Sequence, residues 1–308
     1  MKSSRMGMLL LITALGVTQA VAVNKKHHDS HAHVVQSVSK CPKHFKNYDE
    51  VFAQLQKWHQ EMPVVTELSS YGKTSQGTLC NYLRVGTQGK PKVLLQAGLE
   101  GDEEFAVLAN MKFMEKFLSR IGHEQEVDWL VKNRDIYFIP VISPDTFLKS
   151  HDIEGIETIK SFPYPAKPNN QSPSPVKLIM DLANDMKFKA VLCSHTFGEK
   201  FAQPQTCNGA DGDKIEHMMI KLSGMNGYAT ERVDKPEGSG NDVDWFYGSG
   251  ACSLGMLWGK GSKQFVSFCD LEPTVERSFN AITTFMKEAA EIEVNPKPLR
   301  PMLYYQAD

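Results

Sequence analysis

The sequence has little net charge and few long apolar runs. Its 34 basic and 36 acidic side chains give a formal charge of -2, so nothing in the charge balance points to nucleic acid as a partner. Beyond the N-terminus, no stretch reaches the roughly 20 apolar residues of a membrane-spanning helix. The sequence also has no Cys-x-x-Cys pair of the kind that holds structural zinc, no internal repeat and no sign of a second domain. These absences favour a single globular domain of the soluble type.

The N-terminus has the pattern of a secretory signal peptide. Lys2 and Arg5 precede an apolar run over residues 6–17, and the small-residue site Ala20-Val21-Ala22 follows. This pattern predicts a signal peptide over residues 1–22 and export to the periplasm or the medium. The alternative is an uncleaved anchor, which is disfavoured because the run is too short to span a bilayer. We therefore expect no stable membrane insertion after cleavage.

Residues 23–40 form a polar stretch with four histidines, His27, His28, His31 and His33. Their spacing leaves transition-metal chelation open, but the composition favours a disordered leader. The six cysteines are Cys41, Cys80, Cys193, Cys207, Cys252 and Cys269. An even number in an exported chain permits one to three disulfides, and the sequence does not choose among the 15 full connectivities of six cysteines.

The rest of the chain alternates apolar strand patterns with amphipathic helix patterns. Strands are predicted over 65–69, 79–85, 92–97, 135–142, 189–193, 250–259 and 265–271, and helices over 48–62, 103–118, 176–186, 213–225 and 274–292. This order predicts one α/β domain over residues 41–294, with a C-terminal tail over 295–308. We expect a mixed, mostly parallel sheet flanked by helices on both faces.

Acidic and imidazole side chains follow two of the predicted strands. Glu100 and Glu103 come after the strand over 92–97, and His195 comes after the strand over 189–193. Ligands of such sheets sit at the carboxyl ends of the strands, and zinc accepts both carboxylate oxygen and imidazole nitrogen. The pattern thus places Glu100, Glu103 and His195 in one cleft, where such side chains can hold a cation. The alternatives are acids favoured by a helix dipole and an ordinary hydrogen-bonded histidine.

Several strings resemble the zinc carboxypeptidases of the carboxypeptidase A-like family. The string KVLLQAGLEGDEE over 92–104 resembles the segment that carries the His-x-x-Glu ligand pair in that family, with Glu100 at the histidine position. The string Cys193-Ser194-His195-Thr196-Phe197-Gly198-Glu199 is similar to the segment of the third ligand. Further similarities lie at 139–145, 155–163, 241–248 and 273–276. The resemblance implies a carboxypeptidase A-like fold, zinc as cofactor and peptides as substrates.

The sequence departs from the family at positions that the resemblance makes functional. Lys160 stands at the arginine that clamps the substrate carboxylate, and a lysine cannot grip a carboxylate in the bidentate way of a guanidinium. Leu257 stands at the glutamate that acts as general base. Glu272, before a proline, is the candidate replacement base, and its alternative role is that of an acid at a helix start.

The resemblance and its departures leave two functions open. The first is an exported zinc metallocarboxypeptidase that removes the C-terminal residue of peptides, with the stem peptides of peptidoglycan as candidate substrates. In that reading Glu100, Glu103 and His195 bind zinc, Glu272 is the base and Lys160 holds the substrate. The second is a catalytically inactive relative that uses the cleft to bind peptide or muropeptide.

Overall fold

The structure, a computed structural model, describes residues 44–149, 161–163, 172–231, 241–261 and 267–296. The chain divides into two units after Lys43, and every described residue belongs to the second unit, His44–Asp308. The predicted signal peptide, the histidine-rich leader and most of the predicted tail lie outside the described residues. Within the part that is described, no helix combines the length and the apolar character needed to cross a membrane.

The domain is built on one mixed sheet of eight strands, in the order β1-β2-β4-β3-β5-β8-β6-β7. The central strands β4, β3, β5 and β8 run parallel to one another, and β2 and β6 join them antiparallel. The strands are β1 (Thr66–Lys73), β2 (Leu79–Gly86), β3 (Lys92–Gln96), β4 (Asp135–Ile139), β5 (Ala190–Thr196), β6 (Lys200–Ala202), β7 (Ala229–Glu231) and β8 (Cys252–Trp258).

Helices cover the sheet, so that β4 is buried along its whole length and β3 and β5 along most of theirs. Burial of successive residues, which point to opposite faces, requires cover on both faces. The helices are α1 (Tyr48–Glu61), α2 (Glu104–Ser119), α3 (Gln125–Asn133), α4 (Ser174–Met186), α5 (Gly209–Asn226), α6 (Asp242–Gly248) and α7 (Leu271–Glu288). The predicted α/β fold with a mixed, mostly parallel core is therefore confirmed.

Two local predictions need correction. The predicted strand over 265–271 is wrong where it is described, because Phe268–Asp270 form a 3₁₀ turn and Leu271 already begins α7. The proline at 273 lies in the first turn of that helix, where its missing N–H has no partner to lose. Conversely, β5 runs to Thr196, so His195 lies inside the strand and not after it. Helices α3 and α6 and the short strands β6 and β7 were not predicted from the sequence.

One glycine fixes the path of the chain from β3 into α2. Gly98 has a φ of 62°, a left-handed conformation that side chains rarely adopt. A Cβ atom there would lie 3.0 Å from the Cα of Val141 and 3.1 Å from the carbonyl oxygen of Pro140. The Gly98 carbonyl also accepts hydrogen bonds from the backbone of Ile142 and Ser143. The loop that carries Glu100 and Glu103 is therefore pressed against the chain that leaves β4.

Candidate active site

Glu103 lies at the carboxyl end of the sheet, where the loop after β3 becomes α2. It is the residue that precedes the helix, and its side chain is buried. One carboxylate oxygen, Oε2, accepts a hydrogen bond of 3.3 Å from the backbone N–H of Glu100. The other, Oε1, accepts a bond of 3.4 Å from the backbone N–H of Thr196 in β5. The loop and the neighbouring strand thus hold this carboxylate in place.

His195 lies next to Glu103, on the strand that occupies the middle of the sheet. Its ring atom Nδ1 is 2.9 Å from Oε1 of Glu103. The side chain is buried, and β5 is paired on both sides by the parallel strands β3 and β8. The structure therefore brings two of the three predicted zinc ligands into direct contact. Glu100 is also buried, and its backbone joins the cluster through Glu103.

Asp242 completes this cluster, although the sequence analysis gave it no role. It is the first residue of α6 and is only 1% exposed. Its carboxylate oxygens lie 3.1 and 3.2 Å from Nε2 of His195, on the side of the ring opposite Glu103. Gln96, the last residue of β3, donates a hydrogen bond of 2.8 Å to Asp242 from its amide. The only sequence signal for the contact between Gln96 and Asp242 is that Gln96 is a polar residue at the end of an apolar strand.

The imidazole of His195 is thus held between two buried carboxylates. Burial alone would lower the pKa of His195, but the charges of Asp242 and Glu103 outweigh it and hold this pKa well above its usual value of 6.5. For Asp242, burial would raise the pKa of the carboxyl, and the neighbouring His195 holds it below its usual value. Two negative charges share one positive charge, so the cluster has a surplus of negative charge that suits a cation.

Two of the side chains fit zinc in kind and position. Zinc binds imidazole nitrogen and carboxylate oxygen at about 2.0–2.2 Å, so two ligands of a tetrahedral ion lie about 3.3 Å apart. Nδ1 of His195 and Oε1 of Glu103 are 2.9 Å apart. Asp242 occupies the position of the second hydrogen-bond partner that orients metal-bound histidines. Within the described residues, no group of three or more His, Cys, Asp or Glu side chains is arranged to hold an ion, so Glu100 as third ligand stays a prediction.

The residue beside His195 on the neighbouring strand is Leu257. The two are direct partners in the parallel pairing of β5 with β8. Side chains of paired residues in a parallel ladder point to the same face of the sheet. The side chain next to the imidazole on this face is therefore aliphatic and cannot accept a proton.

Glu272, the predicted replacement base, lies elsewhere. It stands in the first turn of α7 with its side chain 54% exposed, and it makes ion pairs of 3.2 Å with Lys112 and 2.6 Å with Lys116. Partial burial would raise the pKa of Glu272, but the two lysines of α2 hold it below its usual value of 4.5. This is the helix-start position that the sequence offered as the alternative. The assignment of Glu272 as base stays a prediction, and no contact with the cluster supports it.

We expect Glu272→Gln to change neither zinc binding nor peptide binding, because the side chain touches neither Glu103 nor His195. The loss in unfolding free energy should stay below about 1 kcal/mol, as for other exposed ion pairs. Because the pKa of Glu272 is lower in the folded than in the unfolded protein, its ion pairs stabilise the fold at pH values above the unfolded-state pKa. This stabilisation is lost as the pH falls through the folded-state pKa. Urea unfolding of both proteins should therefore show a difference at pH 7 that shrinks as the pH falls below 4.5 and is lost once the pH has passed the lowered pKa of Glu272. A loss of zinc or peptide binding in the variant would show that Glu272 belongs to the functional site.

Other predicted positions are only partly described. Lys160, the predicted substrate clamp, lies outside the described residues. Asp145, at the turn after β4, accepts a short hydrogen bond from the hydroxyl of Thr78. Asp244 in α6 accepts hydrogen bonds of 3.0 Å from the backbone N–H and the hydroxyl of Thr206. Both carboxylates are thus hydrogen-bonded to residues outside the cluster of Glu103, His195 and Asp242.

The fold is shared with solved carboxypeptidase structures. Carboxypeptidase A from Helicoverpa armigera superposes with a TM-score of 0.68 at 17% identity, over 81% of this chain and 74% of that one. Bovine thrombin-activatable fibrinolysis inhibitor, in complex with tick carboxypeptidase inhibitor, gives 0.69 at 13% identity, over 81% and 98%. A metallo-carboxypeptidase from Pseudomonas aeruginosa gives 0.57 at 13% identity, over 76% and 68%. At identities this low, the superpositions establish a common fold and nothing finer.

Sequence comparison gives the family. No curated protein matches the chain. The family model described as zinc carboxypeptidase matches residues 51–211, which is just over half of the 308 residues. The match includes Glu100, Glu103 and His195 and ends before Asp242 and Leu257. On this match and on the shared fold, the chain belongs to the zinc carboxypeptidase family.

Proposed function

We propose that this protein is a non-hydrolytic member of its family that binds the C-terminal end of peptides. The observation that carries this proposal is the pairing of His195 with Leu257. A general base contributes roughly 10²–10⁴-fold to such reactions, and Leu257, the side chain that β8 places beside the imidazole at the family's base position, is a hydrocarbon. Glu272, the one replacement that the sequence suggests, is held by Lys112 and Lys116 on the outer surface of two helices.

The buried cluster supports metal binding without supporting hydrolysis. Glu103 and His195 are the residues that would hold zinc, with Glu100 as the third ligand predicted from sequence. When bound, zinc polarises a carbonyl and makes a bound water more acidic. Asp242 orients the imidazole, and Glu103 is fixed by two backbone N–H groups. With Leu257 next to the ring, these residues hold and orient a ligand but offer no free proton acceptor on that side.

Export and a cell-wall ligand are part of the proposal. The signal-like N-terminus supports a periplasmic or secreted protein. Cys269 is disulfide-bonded, and disulfides persist mainly in exported proteins. In that compartment the stem peptides of peptidoglycan are accessible, so muropeptides are the peptide ligands that we propose. Peptides as ligands also follow from the family.

A second candidate, an active zinc carboxypeptidase, is favoured by the match to the zinc carboxypeptidase family and is equally consistent with the geometry of the cluster. The carboxylate of Glu103 faces Nδ1 of His195 at a separation close to that of two zinc ligands. In that case another carboxylate must take the proton, and Glu272 would have to leave its lysine partners. Hydrolysis of peptides by the natural protein distinguishes the two candidates.

The test is a binding and cleavage experiment on the mature protein in the presence of zinc. We expect calorimetry to detect binding of muropeptides and short peptides with a free C-terminal carboxylate, and weaker binding of their C-terminal amides. Chromatography of the same mixtures should show no release of the C-terminal residue above the rate without protein. Release that stops on addition of a chelator would overturn the proposal in favour of the second candidate.

Lys160 supplies the matched variant for this experiment. Lys160→Met should weaken binding of the free carboxylate form and leave the amide unaffected, because it removes only a charge partner. Lys177→Met, on the exposed face of α4, is the control and should change neither. Equal binding of carboxylate and amide by the natural protein would mean that the cleft does not recognise a C-terminus.

A further inference from the structure

We infer that Asp242 is a positioning residue, which fixes the ring of His195 so that Nδ1 faces the carboxylate of Glu103. The two ring nitrogens have separate partners on opposite sides, Glu103 at 2.9 Å and Asp242 at 3.1 Å. A rotation of the ring by half a turn would place carbon atoms against both carboxylates. Asp242 therefore selects one of the two ring orientations and, with it, the atom that is available to a ligand on the Glu103 side.

Asp242 is itself held by groups that leave it little freedom. Its Oδ2 atom accepts the amide of Gln96 at 2.8 Å, and its Oδ1 atom accepts the backbone N–H of Val243 at 2.9 Å. The adjacent Asn241 caps α6 by accepting the backbone N–H of Asp244 at 2.8 Å. A side chain of β3 and a backbone N–H of α6 thus hold one oxygen each, and together they fix the orientation of the carboxylate.

The neighbouring Asp244 shows that this arrangement is specific to one of two similar acids. Both lie in α6 and both are 1% exposed. The hydrogen-bond partner of Asp244 is Thr206, whereas that of Asp242 is His195. Removing the charge of either aspartate is expected to lower the stability of the fold. Only the change at Asp242 should alter the orientation of the His195 ring. Asp244 is therefore the matched control for a positioning role.

The experiment measures the ring of His195 directly. Long-range ¹H–¹⁵N NMR correlations of histidine side chains should be recorded on the metal-free mature protein, with the His195 signals assigned by their loss in His195→Gln. We expect Asp242→Asn to shift both ring nitrogens of His195, and Asp244→Asn to leave them unchanged. Zinc affinity by calorimetry should fall about 10–100-fold in Asp242→Asn, the usual effect of removing the orienting partner of a metal-bound histidine, and less than twofold in Asp244→Asn.

The inference rests on the proposed function only in placing His195 at the ligand site. A failure of the positioning role can be distinguished from a failure of the proposed function. Unchanged His195 signals in Asp242→Asn would overturn it, whether or not the protein binds zinc or cleaves peptides. Equal loss of zinc affinity in the two variants at equal loss of stability would also overturn it. Should Asp242→Asn not fold, Gln96→Leu removes the amide that holds Asp242 and should shift the same signals by a smaller amount; no shift there would overturn the inference.

Discussion

Replacing His195 with leucine is expected to lower the free energy of unfolding by about 3–5 kcal/mol. The change removes the one cationic group between Glu103 and Asp242 and leaves two buried carboxylates facing a hydrocarbon. A buried charge without a partner costs far more than an exposed one, because the protein interior replaces little of its lost hydration. Urea unfolding followed by circular dichroism measures this loss.

Second-site changes test whether charge is the cause. In the His195→Leu background, Asp242→Asn and Glu103→Gln should each restore part of the lost stability, because each removes one of the stranded charges. The same two substitutions in the natural protein should destabilise it. His217→Leu, on the exposed face of α5, should change the free energy of unfolding by no more than about 0.5 kcal/mol. A cost below about 1 kcal/mol for His195→Leu would mean that the three side chains do not form a buried charge cluster.

Introducing a base where Leu257 stands is expected to produce the largest change in activity. Glu100→His restores the His, Glu, His set of catalytic zinc sites and should tighten zinc binding. Leu257→Glu places a carboxylate directly beside His195 on the adjacent strand. The double variant should release C-terminal residues from peptides roughly 10²–10⁴-fold faster than Glu100→His alone. The new half-buried carboxylate is expected to cost stability, so assays belong well below the melting temperature of the variant.

The matched control for this gain is Leu257→Gln in the same Glu100→His background. Glutamine has nearly the size and shape of glutamate but does not take up a proton at neutral pH. Equal activity of the two double variants would show that Leu257 does not occupy the position of a base. Activity of the natural protein equal to that of the double variant would show that the protein already contains a base.

The sequence predicted the parts of the fold that depend on local pattern. Strands β3 and β4 contain the short apolar runs Val93–Leu95 and Ile136–Ile139, and α2 is rich in apolar residues over a length typical of a helix, so these elements are visible without a structure. The strand predicted over 265–271 failed because apolar runs that short fit a turn into a helix equally well. Helix α6 has only seven residues, about two turns, which is too short to show a clear periodicity.

For the candidate site, the sequence predicted the residues that follow strands and missed the residue that arrives from elsewhere. Glu103 follows β3 and His195 lies near the end of β5, and these strands are parallel neighbours, so topology alone brings the two side chains together. Asp242 reaches the same point as the first residue of α6, far from both of them along the chain. Nothing local marks it, because its role depends on the distance between Nε2 of His195 and its carboxylate, which is set by the tertiary fold.

The conformation of Gly98 has a consequence for how this chain can diverge in evolution. Exchanges at Glu100 or Leu257 alter chemistry while leaving the backbone path untouched, so descendants can gain or lose ligands and bases one at a time. A side chain at Gly98 would combine a φ that side chains rarely adopt with contacts of 3.0–3.1 Å to the backbone of Pro140 and Val141, and would strain the loop that carries both acids. Selection for the architecture alone should therefore preserve this glycine in relatives with and without catalysis. Its presence in a homologue therefore reports on the shared fold and carries no information about activity.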